Sequence, residues 1–146
     1  MARYWLKSLA PIGSGESEDD WLRSRSLDEF ELATGPAMRE KQPQMESGDR
    51  VLLHAPLQSR VIAEGEITGP PSWQPARPGA ERWPWIYPFR IEVWVPLIKE
   101  GPQTADVAPR AALGRLEGGG GYAPLSRPEH SAILRELLAA GTVRTI

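Results

Sequence analysis

The chain contains no cysteine. That excludes disulfides, thiolate zinc sites and cysteine nucleophiles, and it suits a reducing compartment such as the cytosol. Histidine is nearly as scarce. His54 and His130 are the only two, too few for a multi-histidine metal centre, so neither a metal nor another cofactor is expected. An excess of positive charge is missing as well: 17 Lys and Arg stand against 19 Asp and Glu, for a net charge of −2. Such a chain is not built to hold nucleic acid mainly by its phosphates. Apolar runs are only a few residues long, so no membrane span is expected. The opening Met1-Ala2-Arg3-Tyr4-Trp5 is not followed by the apolar stretch of a signal peptide. A length of 146 residues fits one domain over 1–146, able to bury about 68–70% of its unfolded surface without staples.

What is plentiful is punctuation and tryptophan. Fourteen glycines and fifteen prolines leave room only for short elements and argue against a helical bundle. Of six tryptophans, Trp73, Trp83, Trp85 and Trp94 fall within one 22-residue stretch.

Alternation over Arg3 to Ser8 predicts a first strand. Ser17 ahead of three acids predicts a short helix through Trp21-Leu22. Ser47-Gly48-Asp49 is a turn signal, and strands are expected over Arg50 to Ala55 and Arg60 to Thr68, joined by the short link 56–59 as antiparallel neighbours. In the second of these, Ile62, Glu64 and Glu66 form the more polar face, which predicts solvent on that side. Gly69 to Pro84 is too long for a plain connector. Trp85 to Ile98 reads as the longest strand, with Phe89, Ile91, Val93 and Val95 on one face and Arg90, Glu92 and Trp94 on the other. Pro88 and Pro96 predict an edge position or bulged ends. A short helix is expected within 107–116. Ser126 and Glu129 have capping-box spacing ahead of a helix over 127–140, packed by Ile133, Leu134, Leu137 and Leu138. The sum is an α+β protein: a curved, largely antiparallel sheet with a few short outer helices.

Catalytic signals are weak, and an enzyme is not expected. The acids at Glu16 to Asp20 and Asp28 to Glu31 read as solvated surface. His54, after three apolar strand residues, reads as a hydrogen-bonded structural histidine. No serine sits in a nucleophile elbow, and the glycines at 13–15 and 118–121 lack the rest of a phosphate-binding fingerprint. The tryptophan cluster carries more. Indole faces stack flat heterocycles at about 1–3 kcal/mol per base, and Arg77, Arg82 and Arg90 stand beside them in sequence as candidate phosphate contacts.

Three segments resemble the EVE domain, a PUA-like group related to YTH domains. They are Tyr4-Trp5-Leu6-Lys7-Ser8, then Ser47-Gly48-Asp49-Arg50-Val51-Leu52-Leu53-His54 followed by Ala63 and Gly65, then Trp85-Ile86-Tyr87-Pro88-Phe89-Arg90-Ile91. Tyr122 to Ser126 with the last helix fits the same order. The resemblance implies a PUA-like bent sheet or small barrel and a pocket for one nucleobase, often methylated, in DNA or RNA. It carries the cage over to Trp83 and Trp85, with Phe30 or Trp21 as the opposite wall; the clustering of tryptophans in the sequence adds Trp73 as a candidate. Where the family has Trp-x-Gly-x-x-Asn, this chain has Asp28-Glu29-Phe30-Glu31-Leu32. The function expected is therefore non-enzymatic binding of a modified base in DNA or RNA. The −2 charge keeps open a module for a free nucleoside-like ligand.

Overall fold

The computed structural model describes residues 3–9, 17–23, 30–77, 83–118, 121–140 and 142–143. Among these, the strands are β1 (Tyr4–Ser8), β2 (Phe30–Thr34), β3 (Arg50–Ala55), β4 (Arg60–Ile67), β5 (Ser72–Trp73), β6 (Trp85–Trp94), β7 (Tyr122–Leu125) and β8 (Thr142–Val143). The helices are α1 (Glu18–Arg23), α2 (Thr104–Val107), α3 (Arg110–Gly118) and α4 (Arg127–Ala140). The strands form one strongly curled α+β sheet in the order β2-β6-β4-β3-β1-β7, with β5 and β8 added along β6. All pairings are antiparallel except β1 with β3.

The core follows from alternation. Leu6, Val51, Leu52, Leu53, Ile67 and Ile91 are wholly buried, and β-branched and aromatic residues fill the long strand β6 because they suit a pleated, half-covered surface. The Ser47–Asp49 turn is held from inside. Asp49 is buried, and its carboxylate accepts from the Trp5 indole N–H at 2.8 Å, the Arg3 amide at 3.0 Å and the Glu46 amide at 2.9 Å. Gly48 takes φ +92° there, a conformation that favours glycine.

The last helix matches its sequence signals at its start. The Ser126 Oγ accepts from the Glu129 amide at 3.2 Å while Glu129 Oε1 accepts from the Ser126 amide at 2.8 Å, a closed capping box. Ile133 and Leu137 are buried, but Leu138 is exposed and His130 takes a place on the inner face instead.

That histidine corrects the reading of β4. Glu64 is buried rather than solvated, because α4 lies over this side of the sheet. Glu64 accepts from the Arg50 guanidinium at 2.6 and 3.0 Å and lies 3.0 Å from the His130 Nε2. Arg50 also reaches Glu92 at 2.8 Å. A buried carboxylate is tolerated only with such partners. The edge alternative for β6 is corrected too: it is interior, flanked by β2 and β4, and its ladder with β4 shifts register between Ile91 and Val93, near its carboxyl end. Pro88 fits because β4 pairs only from Phe89 onward and β5 only through Ile86. The missing N–H therefore falls where the ladder changes partner.

Candidate functional site

β1 and β3 run parallel, and Ser8 pairs with His54 at their carboxyl ends. Crevices beyond the carboxyl ends of parallel strands are common ligand sites, because the connections there diverge. A cavity of about 410 Å³ opens here, bordered by Ser8 and His54, the turn residues Pro56 and Ser59, and Trp83. Thr104 and Ala105 of α2 and Leu113 and Leu116 of α3 also border it. The volume lies within the usual range for small-ligand sites, about 300–1,000 Å³.

Each wall has a local cause. The turn 56–59 is fixed by α1: the buried Glu18 carboxylate accepts from the Leu57 amide at 3.0 Å and the Gln58 amide at 3.1 Å. Asp19 accepts from the Gln58 side chain and the Ile98 amide. These acids, read from sequence as solvated, hold the cavity's rim, and this corrects that expectation at Glu18. The signal was present in the Ser17 cap, whose Oγ accepts from the Asp20 amide at 3.1 Å; what it could not reveal was the turn lying against the helix. Ser59 has φ +54°, a left-handed conformation that is uncommon outside glycine and costs of order 1–3 kcal/mol. Its carbonyl accepts from the Thr104 amide at 2.9 Å, so turn and helix are clamped together.

His54 is buried with its Nδ1 2.7 Å from Thr104 Oγ1. Burial disfavours the imidazolium, and the pKa falls to about 4. At neutral pH the cavity therefore presents an uncharged imidazole, suited to hydrogen bonding along the edge of a polar ring. Trp83 is also buried. The Lys7 ammonium lies 3.9 Å from its ring centroid, and Gly121 packs against the indole so closely that a Cβ there would overlap it.

Of the five aromatics singled out from sequence, the four whose side chains are described do not converge. Trp83 borders the cavity, but Trp85 turns inward with Tyr87 and Phe89 in unbroken register with β2. The Trp85 indole N–H donates to the Met38 carbonyl at 3.2 Å, and its ring meets Trp73 edge-on at 5.2 Å. No bulge at Pro88 redirects it. Phe30 is core, packed edge-on against Phe89 at 6.3 Å. The Trp21 side chain and Arg82 lie outside the described residues. Arg77 pairs with Glu31 at 3.1 Å, and Arg90 pairs with Glu92 at 3.0 Å; neither borders the cavity. Among the described residues, no group of three or more His, Asp or Glu is placed to hold a metal, and no helix is long and apolar enough to cross a membrane.

Sequence reasoning passed over Ser8, Ser59 and Thr104. Ser8 had a usable signal, the Lys7-Ser8 pair at the end of the Tyr-Trp-Leu strand. Thr104 had none, since nothing local ties it to His54 fifty residues away.

No family model and no curated protein matches the chain. Two solved structures share its fold. One is a hypothetical protein from Leishmania major, with TM-score 0.60 and 18% identity, covering 95% of this chain and 96% of that one. The other is the NMR structure of Rpa0253 from Rhodopseudomonas palustris, with TM-score 0.56 and 17% identity, covering 94% of each chain. At these identities the likeness concerns the fold: in all three chains nearly the whole length makes the same curled α+β sheet.

Proposed function

We propose that the protein is a non-enzymatic binding module that takes one modified, flat nucleobase into the cavity at the ends of β1 and β3. The observation that carries this is the cavity's composition. The Trp83 indole stands with the neutral polar groups of Ser8, His54, Ser59 and Thr104 and the aliphatic walls of α3. A planar heterocycle needs this combination: a stacking surface, a few edge hydrogen bonds and room for a methyl group. Trp83 replaces Trp85 as the stacking residue of the proposal.

A free nucleoside-like ligand is the second reading, and two observations favour it over a polymer. Net charge is −2. Arg77 and Arg90, the described candidates for phosphate, are already paired with carboxylates. Salt separates the two, since polymer binding weakens steeply as salt rises and binding of a neutral nucleoside does not.

The test is tryptophan fluorescence titrated with modified and unmodified nucleosides and with single-stranded oligonucleotides carrying the same bases. Trp83→Leu keeps apolar bulk and removes the stacking face. It should weaken binding by about 1–3 kcal/mol while Trp73→Leu leaves affinity unchanged. If no nucleoside or oligonucleotide perturbs the wild-type signal, or if Trp83→Leu binds as the wild type does, the cavity is not a base site.

A further inference from the structure

His54 and Thr104 meet across fifty residues of chain, with the imidazole Nδ1 2.7 Å from the Thr104 Oγ1. A neutral imidazole carries one ring proton; the nitrogen that holds it donates and the other accepts. Burial keeps the His54 ring neutral near pH 7. The position of that single proton therefore sets the polarity that His54 shows to the cavity it borders.

Thr104 controls the position. It is sealed, at 1% exposure, and among the described residues the His54 Nδ1 is the only partner of its hydroxyl. A threonine inside a helix can donate to the carbonyl four residues earlier. Thr104 is the first residue of α2, so that outlet is missing. Its amide donates to the Ser59 carbonyl at 2.9 Å, which holds the residue in place. With the proton on Nδ1, the ring would donate to Oγ1 and the hydroxyl proton would be buried without an acceptor, at a cost in free energy. With the hydroxyl donating to Nδ1, both donors are accounted for and the ring proton lies on Nε2. That nitrogen makes no hydrogen bond among the described residues and is not shut off from solvent.

We infer that Thr104 is a positioning residue that locks His54 in the Nε2–H tautomer, so that the cavity offers a fixed donor and takes a ligand that turns an acceptor toward it, a ring nitrogen or a carbonyl oxygen. The ligand half rests on the reading of this cavity as a base site; the tautomer half stands apart from it. A ring that turned an N–H toward Nε2 would set donor against donor and leave both unpaired. Ser8, the neighbour of His54 across β1 and β3, imposes no such rule, because a hydroxyl rotates to donate or to accept. A site built to hydrogen-bond one group discriminates strongly against an analogue that lacks it, since its own polar group is then left unpaired.

The experiment reads the tautomer by nitrogen NMR of protein labelled in its histidine rings, at neutral pH, where protonated and bare ring nitrogens resonate far apart. His54→Gln assigns the signal, and circular dichroism confirms folding. The free wild type should show the Nε2–H form in at least tenfold excess. Thr104→Ser keeps the hydroxyl and should keep that excess; Thr104→Val keeps the shape without the hydroxyl and should shrink it several-fold. A free protein that holds its proton mainly on Nδ1, or a folded Thr104→Val with the wild-type excess, overturns the inference and leaves the base site standing. If Thr104→Val does not fold, the wild-type and Thr104→Ser spectra decide, and loss of the excess in folded Thr104→Ser counts against the inference.

The acceptor is located by deleting it. N6-methyladenosine is titrated beside its 1-deaza, 3-deaza and 7-deaza analogues, and 5-methylcytidine beside its 3-deaza and 2-thio analogues. Each change removes or weakens one acceptor. In whichever series the parent binds, one analogue should lose at least tenfold against the wild type, equivalent to about 1.4 kcal/mol, and several-fold less against folded Thr104→Val. Equal affinities throughout that series, or a loss of equal size in folded Thr104→Val, overturn the donor rule with the base site intact. If neither parent binds, the base site fails and the ligand half falls with it, while the tautomer is judged by the spectrum alone.

Discussion

Trp83 and Trp85 are two residues apart and meet different surroundings. Trp83, just ahead of β6, borders a cavity with Ser8, His54 and Thr104 and has a lysine ammonium over its ring. Trp85 opens β6, and among the described residues it meets Met38 O, the Trp73 ring and, across the ladder, Thr34. Both are almost fully buried, so burial alone does not separate them. What differs is the polarity of the neighbourhood. Around Trp83, neutral polar groups border a cavity. Trp85 is packed against the Trp73 ring and the Met38 carbonyl. A tryptophan cluster in sequence is thus split in space, Trp83 beside the cavity and Trp85 with Trp73 away from it.

The sharpest way to break this comparison is to truncate the packed side. Trp85→Ala should cost about 3–5 kcal/mol of stability, as for other buried large aromatics, measured by urea unfolding. If Trp85→Ala instead keeps wild-type stability and loses ligand affinity, the two tryptophans have exchanged roles.

The cavity side should titrate. His54 falls from its ordinary value of 6.5 to about 4 in the folded protein. Between those values the unfolded chain holds a proton that the folded chain does not, so acid favours unfolding. Stability from this group is fully present above pH 6.5 and is lost as pH falls from 6.5 toward 4, by up to about 3 kcal/mol at 1.36 kcal/mol per unit. Glu92, held below its ordinary value by hydrogen bonds from Arg50, adds a loss of the same sign at more acidic pH. Urea midpoints across pH 4 to 7 measure this, and His54→Gln should flatten the upper part of the window. A profile identical in wild type and His54→Gln would remove His54 as the cause. Near Trp85, burial pushes the Tyr87 hydroxyl upward, away from this range.

The smallest expected effect sharpens the contrast. Gly121 has φ +83°, and a Cβ there would overlap the Trp83 indole. Gly121→Ala should displace that ring and cost about 1–3 kcal/mol. Nucleoside-induced quenching should fall, while Trp85 stays where it is. Unaltered quenching together with unaltered stability would mean that Trp83 is not held by this contact.

Much of the architecture was legible because its signals are local. The β1, β3, β4 and β6 strands announce themselves by alternation, and α4 by the Ser126–Glu129 box and by Ile133 and Leu137. Two predictions failed for one reason. The polar face of β4 and the acids of α1 were expected in water because Glu and Asp are mostly exposed. Glu64 lies under α4, against Arg50 and His130, and Glu18 lies against the amides of the 56–59 turn. β2 gave too little signal to be recognised, since Phe30 and Leu32 alternate over only five residues.

By itself, then, the sequence determined the class of the fold, the position of four of the eight described strands, the two caps and the presence of an unusual tryptophan group. Period, capping and turn chemistry act over a few residues, so they are written in order along the chain. Which indole borders a cavity and which fills the core was decided by tertiary structure alone. It depends on Thr104 reaching His54, Lys7 reaching Trp83 and Gly121 closing on the same ring. Those pairs are separated by tens of residues or more, and only the curl of the sheet brings them within contact distance.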